Sequence, residues 1–472
     1  MLESLRHKVF GIVADVAAET GVKAYVVGGY VRDIFLKRPS KDVDFTVIGN
    51  GIDFARKVAS KLDENSEVHI FKNFGTAMIK NEDWDIEFVG ARKESYQSES
   101  RKPIVSEGTF EDDLSRRDFT INTLAISMNA EDYGQLVDLY NGMQDLNDGI
   151  IRTPLSPGIT FSDDPLRMMR AVRFASQLNF SVHPETLQGI KENAHRIEIV
   201  SMERISDEIN KIIMSPKPSI GFSLMWDTGL LPLVFPEMAL LHGVETIDGL
   251  SHKDNFYHTI QVLDNLCKES DDIWLRWAAI LHDIAKPQTK RFYPGEGWTF
   301  HGHEDKGARM VKGIFKRLRL PLNEKMKFVE KMVQLHLRPI VLSQEIVTDS
   351  AVRRLIFDAG EDIFSLLKLC RADITTKNEF KVKKFLNNLK VVEDKIRDVE
   401  ERDRIRNWQP PIDGTEIMEL FGIKAGREIG LLKNALREAI LDGVIKNDYD
   451  EALAFITNKG FEMGLKPQVK NT

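Results

Sequence analysis

Cysteine is almost missing from this chain: among 472 residues only Cys267 and Cys370 occur. Two thiols cannot staple a secreted scaffold of this size or build a cysteine-rich zinc module, so a reducing compartment is expected. Long apolar runs are missing too. No stretch reaches the roughly 18 residues a membrane span needs, and residues 1–22 read as an amphipathic helix that lacks the apolar core of a signal peptide. These two absences lead to the expectation of a cytoplasmic protein with no membrane partner. Positive charge is in slight deficit, with 65 Lys and Arg against 72 Asp and Glu, a net charge of −7. That excludes a uniformly basic nucleic-acid binder but not a local basic groove beside metal-holding carboxylates. Hydrophobic residues at 42% and charged residues at 29% exclude a disordered chain. The length implies two to four domains.

Strand signals crowd the first 150 residues. Apolar, β-prone runs occur at 23–27, 41–48, 76–79 and 84–89, with helical spacing at 31–36 and 52–62. This is an α+β unit. Beyond residue 150 the strand signals nearly vanish. Apolar residues recur at helical spacing over 167–178, 203–214, 258–266, 274–284, 308–318, 324–336, 351–358 and 363–370, with Pro and Gly between the segments. Residues 381–406 read as a long charged helix, more simply a solvated one than a binding face.

Within the α+β unit, Gly28-Gly29 sits between a strand and a helix, followed by Arg32. Glycines there let the backbone approach a phosphate, and the helix start presents free N–H groups to an anion; a plain turn would use the same residues. Asp42 and Asp44 follow on a strand, where positions i and i+2 share a face. The two carboxylates project together and suit one or two Mg²⁺. Asp-x-Asp recurs at 83–85 and 448–450, so the preceding Gly-Gly turn is what makes the first pair informative. Asp85, on a neighbouring strand, is a candidate third carboxylate. The run 111–122 carries Arg116 and Arg117, suited to phosphate, and Asp118 and Asn122, suited to ribose hydroxyls. Then Asp163, Asp164, Pro165 and Arg167 open a helix on which Arg170 and Arg173 continue an i,i+3 ridge. Paired acid and guanidinium can read a base edge; an i,i+3 salt-bridge ladder on a solvated helix would look the same.

The order Gly-Gly-Tyr-Val-Arg-Asp (28–33), Asp-Val-Asp (42–44), Arg-Arg-Asp-Phe-Thr-Ile-Asn (116–122) and Asp-Asp-Pro-Leu-Arg (163–167) resembles the class II tRNA nucleotidyltransferases, the CCA-adding enzymes, and their sister bacterial poly(A) polymerases. The resemblance spans about residues 20–240. It implies a polymerase-β-like head with Asp42 and Asp44 on Mg²⁺. It further implies that Gly28, Gly29, Arg32, Arg116, Arg117, Asp118 and Asn122 handle triphosphate and sugar. Asp163, Asp164 and Arg167 would act as a protein template for CTP or ATP, with Arg170 and Arg173 beside them. The family usually has Glu where this chain has Asp163. Residues 91–105 resemble the loop that enzymes adding only CC lack. The basic stretch associated with poly(A) polymerases is absent, and Phe74-Gly75-Thr76-Ala77 stands in its region. The first point favours addition of all three nucleotides over CC alone, and the second favours it over poly(A) tailing.

Seven of the eleven histidines lie between His242 and His336. Scattered core histidines are the simple reading, but this density beside acids suits Mn²⁺, Ni²⁺, Fe²⁺ or Mg²⁺. The pattern resembles the HD phosphohydrolase superfamily. His258, His282, Asp283 and Asp373 fall on its four-ligand pattern, and His303 and His336 on the extra ligands of its two-metal forms. A vestigial, metal-free HD fold is the alternative.

The resulting expectation is an α+β, polymerase-β-like head over residues 1–150, an all-α neck and body over 151–250, an HD domain over 251–380 and a helical tail over 381–472. The expected partners are tRNA, ATP and CTP, with no DNA. The alternatives are a poly(A) polymerase, an HD phosphohydrolase with a regulatory nucleotide-binding head, and a non-catalytic RNA-binding protein.

Overall fold

The computed structural model describes residues 2–62, 66–71, 75–82, 84–95, 104–343, 348–376, 378–403 and 409–468. The chain divides into two compact units, residues 1–239 and 240–472.

The first unit is built on a mixed sheet. Its strands are β1 (Ala24–Val27), β2 (Asp42–Val47), β3 (Val68–Phe71), β4 (Thr76–Asn81) and β5 (Trp84–Gly90). A separate hairpin follows, β6 (Arg92–Ser95) with β7 (Ile104–Glu107), and then β8 (Ala125–Ser127) and β9 (Leu136–Val137). Among the described residues the sheet order is β3-β4-β5-β2-β1-β8-β9. Only β2 and β5 run parallel within it, and their register sets Asp42 beside Asp85 and Asp44 beside Glu87. Parallel neighbours need a crossover, which α3 (Gly51–Leu62) supplies as it packs on β4, β5 and α1 (Lys8–Thr20). Phe45 and Phe88 stack at 5.0 Å between ring centroids under that layer, both fully buried. Helix α2 (Gly29–Phe35) leaves the end of β1, so the Gly28-Gly29 turn lies against the start of the β2 acids.

A short α4 (Phe110–Ser115) starts with a capping box between Thr109 and Asp112. Past α5 (Gly142–Asp148) and β10 (Ile150–Ile151), the unit turns helical: α6 (Pro157–Asp163), α7 (Leu166–Leu178), α8 (Pro184–Asn193), α9 (Met202–Ile213), α10 (Pro218–Asp227), α11 (Leu230–Val234) and α12 (Pro236–Ala239). A two-residue strand, β11 (Ser181–Val182), pairs with β10. Helix α7 packs against α9 and α10 and buries ten of its thirteen residues. Its arginine ridge is therefore internal, and the partners of Arg170 and Arg173 come from other segments rather than from a ladder along a solvated helix. Arg173 reaches Glu208 of α9, with Nε 2.6 Å from Oε2, and both side chains are buried.

The second unit holds helices α13 (Asn255–Leu266), α14 (Ile273–Leu281), α15 (Lys286–Thr289), α16 (His303–Arg317), α17 (Glu324–Leu335), α18 (Arg338–Leu342), α19 (Asp349–Ala359) and α20 (Ile363–Ala372). Helices α21 (Glu379–Asp403), α22 (Gly414–Phe421), α23 (Arg427–Leu441) and α24 (Tyr449–Glu462) complete it. The expected solvated helix, α21, in fact buries a stripe of Leu389, Val392, Ile396 and Val399. Two hairpins also appear where strand signals are missing, β12 (Thr246–Ile247) with β13 (Leu250–Ser251) and β14 (Arg291–Tyr293) with β15 (Gly297–Thr299). Strands of two or three residues carry no readable period. Turn chemistry is the available signal, since Asp248 and Gly249 both hold positive φ, 50° and 75°.

The Arg173–Glu208 pair is a buried charge pair, and removing one partner strands the other. Glu208→Ala is expected to destabilise the first unit by about 3 kcal/mol, read from a denaturant titration. A change below about 0.5 kcal/mol would match an ordinary surface substitution and contradict this assignment.

Candidate functional sites

The head site forms where four segments meet. Gly28 holds φ at +78°, and a Cβ there would lie 3.0 Å from Arg117 Nη1 and 3.5 Å from Asp44 Oδ2. The glycine thus keeps the space between a carboxylate and a guanidinium open. Asp42 is exposed and Asp44 half-buried at the start of β2. Burial and the neighbouring Asp85 push the Asp42 carboxyl up. Burial pushes Asp44 up as well, with Asp42 and Asp113 adding to it and Arg117 opposing. Glu87 joins this crowd: burial, then Asp44 and Asp42, raise its carboxyl. Asp85 instead lies exposed, 3.7 Å from Lys80 Nζ. Glu87 is therefore the better-placed third carboxylate. Asp42 raises both Asp44 and Glu87, and carboxylates crowded in this way suit a divalent cation.

Arg116 and Arg117 are aimed by Asp113, a carboxylate with no exposed side-chain surface. Arg116 donates to Asp113 Oδ1 through Nε at 3.0 Å and Nη2 at 2.6 Å. Arg117 Nη2 donates to Oδ2 at 3.2 Å, as does Thr46 Oγ1 at 2.8 Å. Burial would raise the Asp113 carboxyl, but the two guanidiniums hold it below its ordinary value. Asp118 anchors its own neighbours in the same way. It accepts from Arg170 Nε at 2.7 Å, Asn122 Nδ2 at 2.9 Å and the Phe119 amide at 2.9 Å. Arg32 is buried, donates to both Asp33 oxygens at 2.9 Å and gives Nη1 to Asn122 Oδ1 at 2.8 Å. Gly28, Arg32, Asp44, Arg117, Asp118, Asn122 and Arg170 thus form one connected cluster.

The 163–167 motif lies at the α6–α7 junction. Asp163 ends α6, and Asp164 accepts from Arg204 Nη2 at 3.0 Å. Arg167, in the first turn of α7, donates to the Arg116 carbonyl at 2.6 Å. That bond ties this motif directly to the arginine pair. Arg173 faces inward to Glu208 and away from this junction's exposed groups. The 91–105 segment is the β6–β7 hairpin, whose residues 96–103 lie outside the described residues, as does Phe74.

In the second unit all six expected ligands converge. Helix α14 ends at Leu281, so His282 caps it and Asp283 turns inward beside it. The helix end is what lets two adjacent residues share one site. His258 Nε2 lies 2.9 Å from Asp373 Oδ1 and 3.4 Å from Asp283 Oδ2. His282 Nε2 lies 3.2 Å from Asp283 Oδ2. On the other oxygen of Asp283, His303 Nε2 lies at 3.2 Å and His336 Nε2 at 3.9 Å. Asp283 is shared by two donor groups, His258–His282–Asp283 and Asp283–His303–His336, each compact enough for one ion.

The imidazoles are held for this task. His282, His303 and His336 donate through Nδ1 to the carbonyls of Ala279, Phe300 and Val333 at 2.7–2.8 Å. Their Nε2 atoms are thereby aimed at Asp283, and in the neutral rings these are the atoms that would ligate a metal. His282 Nε2 is buried and has no hydrogen-bond partner. Burial opposes charge on His282, but Asp283 and Asp373 outweigh it and push it up to about 10. His336 is driven the other way, to about 4, by burial and the charge on His282. Protonated histidine and Lys286, whose Nζ lies 2.6 Å from Asp283 Oδ2, supply the positive charge these acids demand. Divalent cations fit the same places. Lys286 belongs to the sequence run 281–287, but nothing in that run singles it out; only the fold brings its ammonium onto Asp283. A cleft of about 500 Å³, lined by His252, Lys253, His258, Lys286, Trp298 and Asp373, opens onto the cluster.

Asp283→Ala removes the residue both groups share. The variant is expected to fold and to lose bound divalent metal entirely, measured by elemental analysis after incubation with Mn²⁺ and gel filtration. Retention of one or two ions per chain would contradict the shared role.

Comparison with known proteins agrees with this geometry. The family models for the poly A polymerase head domain, the probable RNA and SrmB-binding site of polymerase A, and the HD domain match residues 24–152, 179–241 and 255–376. The A-adding tRNA nucleotidyltransferase of Deinococcus radiodurans is 32% identical over 357 residues, covering 73% of this chain and 78% of the relative. The multifunctional CCA protein of Nitrosospira multiformis is 30% identical over 377 residues, covering 75% and 83%. The Bacillus stearothermophilus CCA-adding enzyme, solved in complex with CTP, has a TM-score of 0.71 at 22% identity, covering 98% of this chain and 99% of that one, and so shares the fold. A nucleotidyltransferase head, an RNA-binding neck and an HD domain thus follow one another along this sequence, and the chain belongs to the family of tRNA nucleotidyltransferases.

Proposed function

We propose that the head completes the 3′ end of tRNA, adding C, C and A from CTP and ATP with release of pyrophosphate. The observation that carries this reading is the placement of Asp44 beside the Gly28 gap and the Arg117 guanidinium, with Asp42 on the same strand and Glu87 across from Asp44. In this reading the tRNA 3′ hydroxyl attacks the α-phosphate, the new P–O bond forms, and the bond to pyrophosphate breaks. Mg²⁺ held by Asp42 and Asp44 supplies charge neutralisation at the reacting phosphate. Arg117 and Arg116, fixed by Asp113, and the amides at the start of α2 receive the triphosphate. Asp118 and Asn122 accept and donate at the ribose. Asp163, Asp164 and Arg167 face the base edge, and the bond from Arg167 to the Arg116 carbonyl holds base and phosphate readers in one register. Positioning and electrostatics carry such a transfer. The helical neck takes the acceptor stem by phosphate and shape.

A second reading, addition of the terminal A alone, is favoured by the name of the Deinococcus relative. For the HD cluster we propose hydrolysis of a phosphoester with Mn²⁺, Ni²⁺, Fe²⁺ or Mg²⁺ on His258, His282, Asp283, His303, His336 and Asp373. The protein is expected to act in the cytoplasm; among the described residues no helix is long and apolar enough to cross a membrane.

One assay separates these readings. Purified protein is given Mg²⁺, labelled CTP or ATP, and tRNA ending either before CCA or after CC. The expected result is two C and one A on the first primer and one A on the second. Labelling of the CC primer alone would establish A addition, and long A tracts would establish a poly(A) polymerase. Asp42→Ala and Asp44→Ala should each lower incorporation by about a thousandfold or more. Near-normal incorporation by either would place the catalytic acids elsewhere.

A further inference from the structure

We infer that Phe174 is the positioning residue that sets the arginines of the head against the nucleotide; this rests on the proposed nucleotide site. Phe174 lies on α7 and is 5% exposed. Three guanidinium carbons converge on its ring, those of Arg173 at 4.1 Å, Arg32 at 5.0 Å and Arg170 at 5.5 Å from the centroid. A fourth contact is the edge of Phe119, at 5.8 Å and 82°. These groups come from distinct segments: Arg32 follows the Gly28-Gly29 turn, Phe119 lies inside the Arg-Arg-Asp run, and Arg170 and Arg173 belong to α7. The ring is where the phosphate-facing turn, the ribose-facing run and the base-facing helix touch one group.

Three like charges in a buried space repel. Each has its own acid: Asp33 for Arg32, Asp118 for Arg170 and Glu208 for Arg173. These acids offset the charge of the individual guanidiniums. The negative face of an aromatic ring is the group that draws them inward. The direction of that pull matters because Arg32 also donates to Asn122, and Asn122 donates to Asp118. If Arg32 or Arg170 swings, the carboxylate and amide assigned to the ribose move with it. A leucine would keep the site apolar, but it is smaller than the ring and offers no such face. Phe174 therefore acts through its neighbours and touches no substrate.

The test uses the full-length protein and compares Phe174→Leu, Phe174→Tyr and Phe222→Leu. Phe222 is a fully buried residue of α10, so Phe222→Leu controls for lost core packing. Steady-state addition is measured with CTP, ATP and tRNA each varied, and thermal midpoints are recorded for every variant. Phe174→Leu is expected to raise KM for both nucleotides by about tenfold and to leave KM for tRNA unchanged. Phe174→Tyr, which keeps the ring face, should stay within about twofold of wild type by the same reasoning. Phe222→Leu should lower the midpoint without raising nucleotide KM. Wild-type nucleotide KM in Phe174→Leu overturns the inference and leaves the proposed site standing. An equal rise in Phe222→Leu overturns it too, because the effect would then be general loosening. A wild-type protein that uses neither CTP nor ATP removes the proposed site and this inference together.

Discussion

Two buried carboxylates organise the head. Asp113 and Asp118 are charged groups taken out of water, which costs several kcal/mol for each ion unless partners offset it. Each is surrounded: Asp113 by Arg116, Arg117 and Thr46, and Asp118 by Arg170, Asn122 and a backbone amide. Neither acid could persist there as an anion without those donors, and the arginines could not be held so firmly without the acids. The arginines in turn border the Asp42–Asp44 edge, where Arg117 stands across the Gly28 gap from Asp44. The arginines proposed to handle nucleotide are thus built around acids, and Asp113 holds Arg116 and Arg117 together.

The two units solve opposite electrostatic problems. In the head, protein cations are locked onto buried acids, with Arg117 held beside Asp44. In the HD unit, Asp283 and Asp373 are buried among imidazoles whose outer nitrogens are held by carbonyls or, for His258, by the Thr375 hydroxyl. Charge there is supplied by protons on histidine and by Lys286, groups that a divalent cation can replace. The first arrangement pairs its charges within the protein, whereas the second is a donor set that a divalent cation could complete. That difference explains why one segment is rich in Arg and the other in His.

Much of this is legible in the sequence because it is local. Residues i and i+2 on a strand share a face, which places Asp42 with Asp44, and the Gly-Gly turn before them marks that pair out from two other Asp-x-Asp runs. The six candidate HD ligands are legible through the resemblance to the HD superfamily, whose pattern they fall on in order. What stays hidden depends on contacts distant in sequence. Glu87 comes beside Asp44 through the parallel register of β2 and β5, and no pattern within 84–90 separates it from Asp85. Asp113 resembles any acid in a capped helix start; its burial beneath Thr46 is a tertiary fact. Arg173 reads as one rung of a surface ridge because its partner, Glu208, lies on a different helix. The short hairpins at 246–251 and 291–299 escape for a simpler reason, having too few residues to show a period.

If buried acids fix the nucleotide site through arginine, removing one negative charge while keeping its shape should weaken nucleotide binding. The most direct measurement is the dissociation constant for CTP with Mg²⁺ in full-length Asp113→Asn, beside its thermal midpoint. An amide keeps the volume but cannot hold two guanidiniums. CTP affinity is predicted to fall by about tenfold or more, the cost of losing a charge-assisted hydrogen bond. An unchanged CTP dissociation constant in a folded Asp113→Asn protein would contradict the account.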